Sequence, residues 1–197
     1  MDGTEQNAGC SEKAAYHEIG HALVGVVLGR QLRIIRCDGE DGATEFEAGR
    51  SINSDSDLLV VNVAGLVAED LLTRQEKNNQ GFGSIPSAND SHSLVSHLVE
   101  MNHWKGNRDA EEALKNASKI RSQPGIQWSE RDEPCAEGLS SILHELRSAE
   151  SRAERILCRR WKSVQLIARE LRFYGWIVSD TVRKYMGLAG TKRAFDE

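Results

Sequence analysis

The sequence predicts a mainly α-helical domain with a small β-hairpin or sheet at about residues 32–47. Three observations carry this. Apolar residues recur at helical spacing over several long segments. The only three prolines, Pro86, Pro124 and Pro134, all fall outside those segments. Between the first two long segments lie two short strand-like runs joined by Asp38-Gly39 and Asp41-Gly42, which are turn signals.

The first helix is expected at about 11–28. Ser11 suits the N-cap and Glu12 the positive end of the helix dipole. Ala15, Ile19, Ala22, Leu23, Val26 and Val27 follow the helical period, and Gly29-Arg30 suits its end. Leu32-Arg33-Ile34-Ile35-Arg36 reads as one strand and 43–47 as a second. Residues 57–74 are almost unbroken apolar sequence. Their length and the spacing of Val60, Val63, Ala64, Val67 and Leu71 favour a helix over a buried strand. Asn78-Asn79 and Gly81-Phe82-Gly83 make 75–87 a loop.

A further helix starts near Asn89-Asp90 and carries Leu94, Val95, Leu98 and Met101; another, polar enough for the surface, covers 108–121. Pro124-Gly125 marks 122–133 as a connector. Residues 137–173 read as nearly continuous helix with a stripe of Ile142, Leu146, Ala149, Ala153, Ile156 and Leu157. Arg155, Arg159, Arg160 and Lys162 read as a solvated face. Ser179-Asp180 caps a last short helix over 181–186.

At 197 residues the chain fits one domain, with tails at 1–10 and 188–197. A net charge of -5 argues against a dedicated nucleic-acid binder. The longest apolar runs, 22–29 and 58–68, are well short of the roughly 18 residues of a membrane helix. No basic and then apolar leader opens the chain. Cys10, Cys37, Cys135 and Cys158 form no CxxC pair. Together these read as a soluble cytoplasmic chain with free thiols.

The chemistry sits in His17-Glu18-Ile19-Gly20-His21, an HExxH motif on the first predicted helix. Histidines at i and i+4 lie one turn apart on one face, so both imidazoles can hold one zinc ion. Glu18 lies beside that face, placed to take the proton of a zinc-bound water. A catalytic zinc needs a third protein ligand. Val24 and Val27 occupy the positions where an extended metzincin motif would continue, which excludes that class. Spacing leaves Glu69, Asp70, Asp90, His92, His97 and His103 as candidates, and Glu69 would be the thermolysin-like choice.

The segment from Ala14 to Gly25, AAYHEIGHALVG, closely resembles the AYHEAGHALVG segment of the FtsH family of ATP-dependent zinc metalloproteases. Ala64-Gly65-Leu66-Val67-Ala68-Glu69-Asp70 is similar to that family's GGRAAEE helix, and Ser87-Ala88-Asn89-Asp90 to its ASND segment. Residues 149–171 and 178–183 resemble its C-terminal helix and following turn. The resemblance implies His17, His21 and Asp90 as zinc ligands, Glu18 as general base and Glu69 as a partner orienting an imidazole. It also implies an edge strand, here 43–47, lining the cleft and pairing with an extended peptide.

The chain departs from that family in having no GxxxxGK[ST] segment and no membrane segment. The expected activity is therefore ATP-independent zinc endopeptidase action on flexible or unfolded polypeptides. A homo-oligomer, a peptidase subunit served by a separate ATPase chain in trans, and a non-catalytic zinc-bound peptide-binding protein are the alternatives the sequence leaves open.

Overall fold

A computed structural model describes residues 9–48, 54–78, 95–101, 103–120 and 136–188 of the chain, with the side chains of 136–138 excepted. Seven helices and a three-stranded antiparallel sheet are present among them. The mainly α architecture with a small sheet is the one the sequence predicts.

Helix α1 spans Glu12–Val27, and the Ser11 hydroxyl accepts the Ala14 N–H at 3.1 Å as its N-cap. The hairpin follows as β1 (Leu32–Asp38) and β2 (Asp41–Phe46), with Ile35 opposite Thr44 and Cys37 opposite Gly42. Helix α2 (Asp55–Lys77) is the central element. Its apolar face, including Val60, Val63, Ala64, Val67 and Leu71, is almost fully buried against α1. Residues 75–77, expected to open a loop, continue this helix, and Gln75 is buried where it accepts from the Trp161 indole N–H at 2.8 Å.

Helix α3 (Val95–Glu100) is short and buries Val95 and Val99, whereas Met101, expected on its apolar stripe, is exposed. Helix α4 (Arg108–Ile120) differs from the surface helix expected of its polar sequence. Ala110, Ala113, Leu114 and Ala117 form a narrow buried stripe against α2 and α5. Three of those four are alanines, which lets the backbone approach closely, so polar residues elsewhere on the helix hid its buried side.

The long helix expected at 137–173 is two helices, α5 (Ala136–Arg159) and α6 (Trp161–Tyr174), broken at Arg160. The break turns Trp161 inward, where its ring packs 5.5 Å from that of Tyr16 and its N–H is satisfied by Gln75. An unbroken helix would carry one of the two apolar faces away from the core. Strand β3 (Trp176–Val178), which the sequence did not predict, pairs with β1, giving the order β2-β1-β3. Helix α7 runs over Ser179–Tyr185, with Val178 in place of Ser179 at the N-cap.

Cys10 and Cys37 are joined by a disulfide, which corrects the expectation of free thiols at these two positions. The bond ties the residue before the α1 N-cap to β1, so the tail expected over 1–10 does not extend to Cys10, which is buried. Cys158 is free, and Cys135 lies outside the described residues. No helix among the described residues is long and apolar enough to cross a membrane.

Candidate metal centre and cleft

His17 and His21 project from consecutive turns of α1 toward α2. The two Nε2 atoms lie 3.0 Å apart. They can come this close to α2 because residue 65 is glycine: a Cβ there would lie 2.6 Å from His17 Nε2 and 2.5 Å from His21 Nε2.

Each ring is fixed by its other nitrogen. His21 Nδ1 lies 2.7 Å from the Val61 carbonyl oxygen. A carbonyl only accepts, so Nδ1 carries the proton. His17 Nδ1 lies 2.6 Å from Glu69 Oε1, and Lys13 Nζ holds the other Glu69 oxygen at 2.9 Å. The Glu69 carboxyl resists burial through the hydrogen bonds of His17 and Lys13, which hold it below the usual carboxylate range. Glu69 is therefore an acceptor, and His17 Nδ1 also donates. In the neutral rings both Nε2 atoms then present lone pairs to one point.

A carboxylate completes that point. Asp109, in the first turn of α4, places Oδ2 2.7 Å from His17 Nε2 and 3.6 Å from His21 Nε2. Two imidazole nitrogens and a carboxylate oxygen converging this closely can be satisfied by a shared proton or by a bound cation. A tetrahedral zinc with ligands at about 2.0–2.1 Å would separate its ligand atoms by about 3.3 Å, and the three observed separations bracket that value. His17, His21 and Asp109 are the one such group of three among the described residues. Burial pushes the His17 pKa down, but the Asp109 and Glu69 carboxylates outweigh it and hold it up at about 10. Asp109 likewise overcomes its burial through the two histidines and sits well below its ordinary value. A proton and a metal ion would compete for the same His17 lone pair.

Glu18 is turned toward the hairpin. Its Oε2 accepts from Thr44 Oγ1 at 2.6 Å. The absence of a side chain at residue 42 makes room for it, since a Cβ there would lie 2.7 Å from Glu18 Oε1. Glu18, Thr44, the two histidines and Asp109 line a cleft of about 500 Å³. Asn62, on the same wall, leaves its buried Nδ2 as the one buried side-chain nitrogen or oxygen without a partner among the described residues.

The structure thus brings together His17, Glu18, His21 and Glu69. Asp90 and His92 lie outside the described residues. His97 and His103 are not in the cluster, and Asp70 is turned to Arg74 within α2. Asp109 was not among the sequence candidates. The signal for it was weak: an acidic residue in the first turn of a helix is explained by the dipole alone. No protein-family model and no curated protein matches this chain.

Proposed function

We propose that this chain is a zinc metalloendopeptidase of the HExxH type, FtsH-like in its motifs, that hydrolyses flexible or unfolded polypeptides without ATP. The observation that carries the reading is the convergence of the two Nε2 atoms and the Asp109 carboxylate at one point beside Glu18. His17 and His21 would hold zinc with one aspartate. Asp109 is supported by geometry and Asp90 by the family resemblance.

Zinc held there would supply an acidified water and a polarised substrate carbonyl. Glu18 would accept the water's proton and deliver it to the leaving amine. Glu69 and the Val61 carbonyl keep the imidazoles in the tautomer that ligates. Peptide as substrate is supported by β2, which among the described residues pairs with β1 on one side only. An extended segment can add to its free side through main-chain hydrogen bonds, with little demand on sequence. No GxxxxGK[ST] segment occurs in the chain.

The test is metal content by elemental analysis together with hydrolysis of casein and of short peptides. One zinc per chain and ready cleavage are expected, with cleavage lost by on the order of 100-fold or more in Glu18→Gln at unchanged zinc content. A zinc-loaded protein inactive on every flexible substrate would favour the peptide-binding or ATPase-partnered alternatives instead.

A further inference from the structure

Arg30 is a half-buried cation that meets no carboxylate among the described residues. It follows α1, where Gly29 at φ 90° turns the chain and the Arg30 N–H returns to the Gly25 carbonyl at 2.8 Å. Its guanidinium carbon stacks 3.9 Å from the centroid of the Phe46 ring. The ring can pack this closely on α1 because residue 25 is glycine: a Cβ there would lie 2.4 Å from Phe46 Cζ. Burial alone shifts the Arg30 pKa, downward, and no neighbouring carboxylate opposes it. An arginine keeps its charge all the same. Stacking covers one face of the guanidinium and leaves its N–H edge available. Among the described residues no ion pair or side-chain hydrogen bond uses that edge.

This cation stands in the cleft of the candidate site. Arg30 and Phe46 line it together with His17, Glu18, His21 and Asp109. Thr44 and Phe46 are two apart on β2 and so face the same side of the sheet, the side of α1. Glu45, between them, faces the other side, where Arg33 and Arg36 hold it at 3.3 and 3.0 Å. The carboxylates that share the cleft are engaged elsewhere. Glu18 accepts from Thr44, Asp109 meets His17, and Glu112 accepts from Asn116 at 3.3 Å with Lys115 at 3.8 Å.

The chemistry that would satisfy Arg30 is a carboxylate from outside the chain. A guanidinium fork pairs with one through two parallel hydrogen bonds. The polypeptide proposed to lie along β2 brings such a group within reach. From the level of Thr44, where Glu18 sits, to that of Phe46 is two residues, about 7 Å. Side chains of an extended peptide alternate, so every second one faces the side on which Arg30 lies.

We propose that Arg30 is a specificity-determining residue, which binds a carboxylate of the polypeptide substrate about one to three residues from the bond that is cut. The proposal rests on the peptidase reading and narrows its substrate: flexible chains that carry an acidic side chain, or end in a free carboxylate, at that distance.

The test uses acetylated, unstructured peptides of Ser, Gln and Ala. In one arm the C-terminus is amidated and a single Glu is walked a residue at a time along the chain, each peptide being paired with its Gln counterpart. In the other arm no Glu is present and the C-terminus is free or amidated. An advantage of about tenfold in kcat/KM is expected for a carboxylate at one offset from the cut bond, read by mass spectrometry. The first arm assigns it to acidic side chains and the second to chain ends, and either sustains the proposal. Arg30→Gln is expected to abolish the advantage. Arg30→Met, whose apolar stem can still pack on Phe46, makes the same test even if the glutamine variant folds poorly. Carboxylate and amide peptides cut alike at every offset would overturn the proposal. So would an advantage that survives in both Arg30 variants; its loss in Arg108→Gln would then assign it to the other arginine of the cleft. If the wild type cuts no peptide, the peptidase reading fails separately. Anisotropy of rhodamine-labelled Glu and Gln peptides on the Glu18→Gln protein then decides Arg30: tighter binding of the Glu peptide that Arg30→Gln abolishes sustains it, and equal binding sinks it.

Discussion

The Thr44 hydroxyl lies 2.6 Å from Glu18 Oε2 and 3.0 Å from the Glu18 carbonyl oxygen. The strand expected to receive the peptide thereby also seats Glu18, the proposed general base. Such a contact fixes the carboxylate relative to the strand, so a peptide placed by β2 is placed relative to Glu18 as well.

Thr44→Val keeps shape and removes the donor. Hydrogen bonds to charged groups contribute about 1.5–3 kcal/mol, so kcat is expected to fall about tenfold or more, with KM and zinc content unchanged. Thr44→Ser should restore most of the loss. Steady-state kinetics on one flexible peptide checks this, and an unaltered kcat in Thr44→Val would remove Thr44 from the mechanism.

The proposed metal site makes a sharper demand. A catalytic zinc keeps one position open, so only one of Asp90 and Asp109 is expected to ligate. Zinc titration of Asp90→Ala and Asp109→Ala should show a large affinity loss in one and little in the other. Glu69→Gln, which leaves the ligands intact but weakens the hold on His17 Nδ1, should cost about 10–100-fold in affinity. Equal large losses in both aspartate variants would mean a closed four-ligand site, which has no place for a reacting water.

How much of this was readable beforehand follows from where the information lies. Helix α1 and both histidines were legible because capping, periodicity and the HExxH spacing are all local and all agree. Glu69 was legible as a histidine partner through its resemblance to a family helix, and the 2.6 Å contact supports that role. Asp109 was not, because its place beside His17 depends on how α4 packs on α2, a contact over 92 positions of sequence that no local pattern encodes. Strand β3 was missed for a related reason: three residues carry no period, and only pairing with β1 makes them a strand. The Cys10–Cys37 pair is likewise tertiary, since spacing says nothing about which cysteines meet.

That disulfide closes a loop with a sequence separation of 27. Chain-entropy arguments put the stabilisation from a closed loop of this length at about 3–4 kcal/mol, through restriction of the unfolded chain. The Cys10→Ser, Cys37→Ser double variant is expected to lose about that much in denaturant unfolding, and dithiothreitol should lower the wild type to the same level. A double variant as stable as the untreated wild type would show that the bond contributes nothing.

The last prediction concerns Glu150, on α5, which is 3% exposed and accepts the Ser96 N–H at 2.7 Å and the Ser96 hydroxyl at 2.6 Å. Burial pushes its pKa up, the Ser96 hydrogen bonds and the more distant Arg147 charge oppose this, and the balance raises it from 4.5 to about 7. Between those two values the fold binds this proton more tightly than the unfolded chain does. The resulting stabilisation is present in full below the unfolded pKa and is lost as pH rises through about 7. Over pH 5 to 8 the loss is on the order of 2–3 kcal/mol, because each pH unit separating the folded from the unfolded pKa is worth about 1.4 kcal/mol. Glu150→Gln cannot ionise, and its amide can still accept from one Ser96 group and donate to the hydroxyl. Its stability relative to wild type should therefore rise by that amount between pH 5 and pH 8, measured by urea unfolding at both. A difference independent of pH would show that Glu150 is ionised in the fold throughout, and that α3 is held to α5 by a charged carboxylate.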